Sequence, residues 1–420
     1  MPVPKQGGSL ADLKEQNLSR ILSSVAQAGT ITREEIRRSL GVQASSLSRY
    51  VDELRARGLL AESESIHLVP IGRPTQPIVF ARDRWALLGL IVDRHEIHAA
   101  VSYLDLTVIT TRRFPVPDST RVSGHSTALA AVAAWATGIA EQHGLTLLAA
   151  EIDAPGALNR ETGDVYRSLL NGWGTFNLAD TLQSALTHQG GADARPVAIR
   201  IDRDTNAAMQ ARLRDLDAAP DGGAAAELSG PSAYFGGRYA LSGGIFDGGV
   251  VRGATGLAGD FGHLAVDPHG EVCWCDRTGC LETKAGLAAL HRARFGRSTP
   301  IHDLSAEGPR LLAELQASRD EGDSATLAVL ADAGRWIANS IDTIAAIANP
   351  ARIVIDGYLA QLGAPLVPTI VTQLEATRSL PPFQRIEVVA TDGDPEVPLR
   401  GALLSALLTV VETPGLAVRG

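Results

Sequence analysis

Apolar residues recur at helical spacing in the first sixty positions of the chain, which predicts three amphipathic helices. The first covers residues 10–28, and its apolar side consists of Leu13, Leu18, Ile21, Leu22 and Val25. The second begins at Thr32, which forms a capping box with Glu35, and ends at Gly41. The third covers about residues 44–57, and its buried side consists of Leu47, Tyr50, Val51 and Leu54. Two short helices joined by a tight glycine-containing turn are typical of a helix-turn-helix.

Short β-strands are predicted directly after these helices. Residues 59–64 and 66–68 can pair as a β-hairpin, which would make the amino-terminal region a winged helix. The tripeptide Gly72-Arg73-Pro74 follows. In an extended segment Arg73 can enter a narrow minor groove, where the negative potential is strongest, although a plain linker is the alternative.

Three serines and an arginine begin the exposed side of the third helix: Ser45, Ser46, Ser48 and Arg49. Small hydroxyl residues at the start of a helix allow close approach to a duplex, and an arginine can contact guanine or phosphate. These four residues are therefore predicted to bind DNA. A three-helix module that binds another protein is the alternative.

The remainder of the chain alternates between apolar strands and helices. One strand is predicted to end near Val92. Further strands are predicted at residues 98–104, 108–114 and 147–153, and a helix at 128–143. A similar order recurs later, with strands at 234–242, 245–251 and 352–356. This order predicts an α/β fold of two lobes with a cleft between them. The apolar side of a helix at 336–348 indicates a core helix or, as the alternative, a dimer interface.

Composition and charge narrow the class of protein. Hydrophobic residues make up 45% and charged residues 20% of the chain, as in a well-packed globular protein. No run of eighteen apolar residues and no apolar leader is present, so we expect a cytoplasmic protein with no membrane partner. Residues 1–80 carry a net charge of +2 and the remainder −11. A mildly basic head on an acidic body favours nucleic-acid binding by the head.

The three cysteines of the chain all lie in one short stretch that also contains a histidine. Together His263, Cys273, Cys275 and Cys280 form a Cys₃His set, which closes a zinc tetrahedron with no open position. This set predicts a structural zinc ion. Three ordinary thiols, or one disulfide with a leftover cysteine, are the alternatives.

These features together resemble the ROK family of repressors, open reading frames and kinases. The segments GATGLAGDFGH and CWCDRTGCLE are close to its signature, and the helix-turn-helix and Gly72-Arg73-Pro74 stand in the family's order. The resemblance covers nearly the whole chain. It implies a winged helix-turn-helix in front of a bilobed actin-like ATPase fold of the sugar-kinase type. We therefore expect a DNA-binding domain with linker at 1–80, a first lobe at 81–200 completed by the carboxyl-terminal segment, and a second lobe at 201–420.

The resemblance also implies a sugar pocket. The family's Asn-Asp-x-Asn motif appears here as Arg203-Asp204-Thr205-Asn206, and its asparagine upstream of Gly172-Trp173 appears as Leu169. The implied ligand-binding residues are Gly156, Arg203, Asp204, Asp260, His263 and Glu282, with Asp260 in place of the family's glutamate. Because an arginine can pair with an acid or phosphate, we hypothesise that the effector is a phosphorylated or acidic sugar rather than a neutral hexose, unless no tight effector exists. The alternative is that Arg203 merely pairs with Asp204 or another acid.

Loss of the family's phosphate-binding glycines argues against kinase activity. The first phosphate loop reads Asp93-Arg94-His95-Glu96, the second covers residues 241–245, and the adenosine-site motif is reduced to Asp356-Gly357. The sequence therefore predicts no catalytic residue and no enzyme activity. It predicts a regulator, most simply a repressor, of carbohydrate genes, which binds operator DNA and a sugar effector as a homodimer or tetramer. The alternatives are a sugar kinase with an added DNA-binding domain and a ligand-independent DNA-binding dimer.

Overall fold

A helical head precedes two α/β lobes in the computed structural model, which describes residues 10–63, 76–190, 195–218, 230–377 and 386–417. The head contains three helices and one two-stranded sheet: α1 (Leu10–Ala28), α2 (Arg33–Leu40), α3 (Ala44–Ala56), β1 (Leu60–Glu62) and β2 (Ile78–Phe80). The predicted capping box is present at the start of α2, where Thr32 accepts from the Glu35 amide and the Glu35 side chain accepts from the Thr32 amide. Gly41 ends α2 in the left-handed conformation.

The head contains a strand pairing that the sequence did not predict. β1 pairs antiparallel with β2, in the register Leu60 to Phe80. Apolar side chains explain this pairing, because Leu60, Ile78 and Phe80 are all buried in the core of the head. Residues 66–68 and Gly72-Arg73-Pro74 lie outside the described part of the chain.

The first lobe is built on a five-stranded sheet of order β10-β6-β3-β4-β5. Its elements are β3 (Trp85–Val92), β4 (Glu96–Tyr103), β5 (Val108–Pro115), α4 (Val122–Gln142), β6 (Thr146–Asp153), α5 (Leu178–Gly190) and β10 (Ala198–Asp202). A small three-stranded sheet extends from it, formed by β7 (Ala157–Asn159), β8 (Asp164–Arg167) and β9 (Phe176–Asn177). Alternate residues of β3 reach opposite faces: Leu88 and Leu90 join the core with α4, whereas Leu87 and Ile91 join the core with the carboxyl-terminal helix.

The second lobe is built on a four-stranded sheet of order β12-β11-β13-β14. Its strands are β11 (Ser232–Gly236), β12 (Ser242–Phe246), β13 (Arg352–Ile355) and β14 (Glu387–Ala390). Its helices are α7 (Glu282–Ala285), α8 (Leu287–Phe295), α9 (Leu304–Asp320), α10 (Ser324–Ala348), α11 (Gly357–Leu362) and α12 (Leu366–Thr377). The predicted strand at 234–242 ends early, at Gly236, because the chain turns at Gly237, whose φ is 150°. The helix predicted at 336–348 starts at Ser324, where Asp323 caps it.

Two long helices connect the cleft region to the head: α6 (Asp204–Ala218) and α13 (Val397–Glu412). α13 packs along α6 on one side, and on the other it contacts β3, β6 and α1. The close packing needs glycine, since a Cβ on Gly401 would lie 2.1 Å from the Ala207 carbonyl oxygen. The side chains of Leu403 and Leu407 share a hydrophobic core with Leu18 of α1. The head is therefore joined to the first lobe by a continuous apolar core. Within the described residues, no helix combines the length and the apolar character that crossing a membrane requires.

Candidate ligand cleft, metal centre and DNA-binding surface

A cavity of about 330 Å³ lies between the two lobes. The first lobe supplies Asp93, at the end of β3, and Gly156, in the turn after β6, while Arg203 and Asp204 join β10 to α6. Of the six residues predicted to bind ligand, five line this cavity: Gly156, Arg203, Asp204, Asp260 and His263. Leu169 lines it as well. The turn requires glycine at position 156, because its φ is 126° and a Cβ would lie 2.4 Å from the Arg167 carbonyl oxygen.

Glu282 is the predicted ligand residue that does not line this cavity. Its side chain is buried, and Oε2 accepts a hydrogen bond from the Leu241 amide at 2.7 Å. Burial raises the pKa of Glu282 to about 8. In this position the carboxyl group fixes the loop between β11 and β12 and lines a neighbouring cavity beside the cysteine-rich loop.

Arg203 is buried at the floor of the cleft, with 2% of its surface exposed. Nη2 donates to the carbonyl oxygens of Gly243 and Ala258, the latter at 3.2 Å. Nε and Nη1 have no hydrogen-bond partner among the described residues. The closest carboxylate oxygen belongs to Asp260, 3.9 Å from Nη1, which is too long for a hydrogen bond.

The carboxylates of the cleft differ in environment. Asp204 is half-buried at the start of α6, and desolvation raises its pKa despite the adjacent Arg203. Asp260 is partly exposed and accepts a hydrogen bond from Ser242 Oγ at 3.0 Å. The cleft can therefore present both a hydrogen-bond donor and an acceptor to ligand hydroxyl groups.

The predicted zinc ligands are brought together. The ligand atoms of His263, Cys273, Cys275 and Cys280 lie within 4.8 Å of one another, with Cys275 Sγ 3.6 Å from Cys280 Sγ and Cys273 Sγ 3.7 Å from His263 Nδ1. Metal–sulfur bonds of about 2.3 Å in a tetrahedron place the sulfur atoms about 3.8 Å apart. The three cysteines are free thiols rather than disulfides. The donor set and its spacing fit a tetrahedral metal ion.

Trp274, between two of the cysteines, is a cleft residue that the sequence analysis missed. It lines the cavity, and its ring packs edge to face on His263 with the centroids 4.4 Å apart. Cys275 also lines the cavity. The metal loop therefore forms part of the wall of the cleft. The position of Trp274 between two metal ligands was a signal that could have pointed to this role.

Arg238, also missed from the sequence, occupies the region of the two altered phosphate loops. It donates to Asp93 at 3.2 Å and to Glu96 at 3.1 Å. Glu96 also accepts from Arg113 at 2.6 Å, and Arg113 donates to Glu396, just before α13, at 2.9 Å. A chain of ion pairs thus joins the two lobes to the start of α13.

In the head, the predicted DNA-binding side of α3 is open to solvent. Ser45, Ser48 and Arg49 are exposed and Ser46 is half-buried, while Leu47, Val51 and Leu54 fill the core on the other side. The guanidinium group of Arg49 lies over the ring of Tyr50, 5.4 Å from its centroid. Arg73, the fifth residue of this prediction, lies outside the described residues.

A family model described as the ROK family matches residues 242–407. Two Escherichia coli K12 proteins are 23% identical to this chain: the DNA-binding transcriptional dual regulator NagC and the DNA-binding transcriptional repressor Mlc. The NagC match spans 93% of this chain and 92% of NagC, and the Mlc match spans 96% of both.

Two solved structures share the fold. A ROK family transcriptional regulator, described as a homologue of the Escherichia coli Mlc protein, has a TM-score of 0.74 at 22% identity and covers 96% of this chain and 99% of its own. A ROK family glucokinase from Streptomyces griseus, in complex with glucose and AMPPNP, has a TM-score of 0.58 at 20% identity. It covers 76% of this chain and 99% of its own. The likeness to both confirms the actin-like ATPase fold of the body. Only the first match extends over nearly the whole of this chain, the head included.

Proposed function

We propose that this chain, which carries a ROK family domain, is a transcriptional repressor of carbohydrate genes whose sugar-derived effector binds in the interlobe cleft. The proposal is carried by the exposed start of α3, on a head that packs against α13. Helix α13 in turn packs along α6, which begins at the cleft. The relatives NagC and Mlc, both named as DNA-binding regulators, support it over nearly the full length.

DNA binding is tested with the purified full-length chain and fragments selected from its own genome. A dimer would place two α3 helices on half-sites one helical turn apart, or a multiple of it, so footprinting should show two protected half-sites. Arg49→Ala should weaken binding by about 1–3 kcal/mol if the arginine contacts a base. Arg55→Ala on the same helix is the matched control, because Arg55 lies near Asp52 and Glu62 rather than at the start of α3. Equal footprints for wild type and Arg49→Ala would contradict the assignment of this surface.

Zinc is the ion we assign to the His263–cysteine cluster. Three thiolates and one imidazole are the ligands that zinc prefers, and a closed set of four leaves no position for substrate. Burial lowers the pKa of His263, which favours the neutral imidazole that a metal requires. The role of the ion is then to fix the loop that carries His263 and Trp274 into the cleft wall.

The route from cleft to DNA follows contacts that are present in the structure. Asp204 lines the cleft and begins α6, α6 packs along α13, and α13 shares a core with α1 of the head. A ligand that favours one arrangement of the lobes can shift the position of α6 and hence of the two heads. It can do so only by its difference in affinity between the two arrangements.

Kinase activity is the competing function, because the body has the fold of a sugar kinase. Arg238 argues against it, since Asp93 and Glu96 of the altered first phosphate loop are engaged by its guanidinium group, whereas a kinase needs backbone amides around the phosphates. A coupled assay of ADP release with a panel of sugars separates the two functions. Turnover would support the kinase, and silence together with an operator footprint would support the repressor.

Dimerisation is part of the proposal, since a palindromic operator requires two heads. Ile347, on the part of α10 for which the sequence offered a dimer interface as the alternative, is 78% exposed. Sedimentation of the zinc-loaded chain with and without operator measures the state directly. A monomer bound to a single half-site would contradict this part of the proposal.

Ligand-insensitive operator binding would instead favour a DNA-binding dimer without an effector.

A further inference from the structure

We propose that residues 252–258 form a strap that holds the two lobes together across the cleft, so that the cleft opens only when the ion pair between Arg252 and Asp202 breaks. The strap follows β12 of the second lobe and contacts the first lobe at two places, near β7 and at the end of β10. The inference rests on the proposed function in one respect, since it concerns the opening of the cleft that takes the effector.

The base of the strap belongs to the second lobe. The amide of Val251, the residue before the strap, donates to a carbonyl oxygen of β12 at 2.8 Å. Gly259, the residue after it, lies against the same strand, where a Cβ would be 2.7 Å from the Cα atom of Gly244. Within the strap, the Ala258 amide donates to the carbonyl oxygen of Arg252 at 3.1 Å. The strap is therefore a closed loop whose two ends are fixed to β12.

The tip of the strap contacts the first lobe. Gly256 has a φ of 74°, and a Cβ at this position would lie 2.5 Å from the Leu158 carbonyl oxygen in β7. A side chain would therefore meet both an unfavourable backbone conformation and a steric clash. The next residue, Leu257, lines the cavity. Glycine at position 256 thus allows the strap to approach β7 while Leu257 forms part of the cleft wall.

A charged contact also connects the strap to the first lobe. Arg252 Nε donates to Asp202 Oδ2 at 2.7 Å, and Nη2 lies 2.6 Å from the same oxygen. The Asp202 side chain, at the end of β10, is only 2% exposed, so the pair is weakly screened. Charge-assisted hydrogen bonds are about twice as strong as neutral ones. Because the two residues belong to different lobes, separation of the lobes at this point requires the pair to break.

The surroundings of Asp202 allow this pair to break without leaving a buried charge unpaired. Arg160 of the first lobe lies 3.4 Å from the same carboxylate oxygen. The other oxygen accepts from the Arg203 amide at 2.8 Å and from Asn206 Nδ2 at 2.7 Å. These three partners stay beside Asp202 when the strap leaves, whereas Arg252 is already 28% exposed and can be solvated. The usual penalty for removing one partner of a buried pair is therefore reduced.

Arg203 links the strap to the floor of the cleft. Its Nη2 atom donates to the carbonyl oxygen of Ala258, in the strap, at 3.2 Å. The same atom donates to the carbonyl oxygen of Gly243, in the strand that carries the strap. A ligand that moves Arg203 therefore acts on a group that also holds the strap in place.

Trypsin cleavage after Arg252 measures release of the strap, because the protease must take up the Arg252 side chain itself. The zinc-loaded full-length chain is used, and mass spectrometry identifies the cut. Gly256→Ala should be cleaved at this bond about tenfold or more faster than wild type, since the Cβ displaces the strap from Leu158. Gly248→Ala is the matched control: its φ of 62° imposes comparable backbone strain, but its Cβ would meet nothing within 4 Å.

Hydrogen–deuterium exchange tests the ion pair itself. Arg252→Gln removes the charged contact, so amides of residues 252–258 and of the cleft-lining segment 155–158 should exchange about ten- to a hundredfold faster than in wild type. Arg200→Gln is the matched control, because Arg200 also lies on β10 but pairs with Glu412. Exchange in both segments should then keep its wild-type rate. Peptides from α10 should be unchanged in both variants, which shows that the chain remains folded.

Two outcomes would overturn the inference: cleavage after Arg252 at the same rate in Gly256→Ala and Gly248→Ala, or wild-type exchange of both segments in Arg252→Gln. Operator footprinting on the same preparations keeps the two proposals apart. A strap that opens as expected in a chain without any footprint removes the repressor and leaves the strap standing. A footprint from a chain whose strap is unaffected by these substitutions removes only the strap.

Discussion

Arg238 donates a hydrogen bond to Asp93 at 3.2 Å, and this ion pair joins the second lobe to the first across the floor of the cleft. The same guanidinium group contacts Glu96, through which the network continues to Arg113 and Glu396. In a kinase of this fold the corresponding loops must surround phosphates. Here a side chain of the protein supplies the positive charge, and the network ends at the start of α13, which packs against the helical head.

Replacing Arg238 by alanine should lower the free energy of unfolding by about 1–3 kcal/mol, because in a partly desolvated site Asp93 would lose its ion-pair partner and Glu96 would lose one of two. Urea denaturation measures the change. Arg310→Ala is the control: Arg310 forms exposed pairs with Glu307 and Glu314 on α9, so its loss should cost less than about 1 kcal/mol. Equal effects in the two variants would show that the interlobe ion pair is no stronger than a surface pair.

Metal content should depend on His263 and not on its neighbour His269. Mass spectrometry under native conditions should find one zinc ion per chain in the wild type and in His269→Ala, but none in His263→Ala, because only His263 belongs to the cluster. Loss of the ion should also lower the melting temperature, since the binding energy of a structural metal is folding energy. Zinc retained by His263→Ala, or lost by His269→Ala, would contradict the ligand assignment.

Asp153 predicts a pH dependence of stability. Both of its carboxylate oxygens are buried without a donor, and desolvation raises its pKa well above the ordinary value. The folded state therefore holds this proton more tightly than the unfolded state. The resulting stability is complete below the unfolded pKa and is lost as the pH rises toward the folded pKa. Asp153→Asn should flatten this decline and be more stable than wild type at pH 8, by about 1–3 kcal/mol.

Denaturation curves at several pH values measure this difference. Asp83→Asn is the control, because it makes the same substitution at an exposed position and leaves the buried carboxyl groups in place. Glu151 lies in the same buried group, and burial raises its pKa to about 7, so part of the decline between about pH 5 and 7 should remain in Asp153→Asn. An unchanged slope in Asp153→Asn would show that this carboxyl group keeps the same protonation in both states.

Gly401 tests the packing that joins the cleft to the head. A Cβ at this position would lie 2.1 Å from the Ala207 carbonyl oxygen, so Gly401→Ala must push α13 away from α6. We expect a loss of about 1–3 kcal/mol in stability. Gly138→Ala is the control within another helix: its Cβ would meet nothing within 4 Å, so this change should be neutral or stabilising. Similar stability of the two variants would show that the two helices can separate without cost.

Local sequence signals predicted the parts of the molecule that depend on neighbours in the chain. The capping box at Thr32, the turn at Gly41 and the close spacing of Cys273, Cys275 and Cys280 are short-range features, and each has the predicted structure. The family resemblance added residues 203 and 204 of the cleft, which occupy its floor as expected.

Contacts between distant segments were not predictable in the same way. β1 pairs with a strand at 78–80 because Ile78 and Phe80 complete the core of the head, which spacing alone does not reveal. Arg238 was overlooked because its partners lie more than a hundred residues earlier. Glu282 follows the metal loop in sequence, yet its side chain turns to the Leu241 amide instead of the cavity. Each of these arrangements is decided by tertiary packing.

The most direct test of the account is the affinity for operator DNA, measured by fluorescence anisotropy with and without the sugar that binds most tightly in a calorimetric screen of sugars and sugar derivatives. We predict that saturation of the cleft changes the dissociation constant by about 5- to 150-fold, the usual range of coupling between two sites. The Gly401→Ala variant should show a smaller change. An identical dissociation constant at saturating sugar, together with sugar-dependent release of ADP from ATP, would contradict the account.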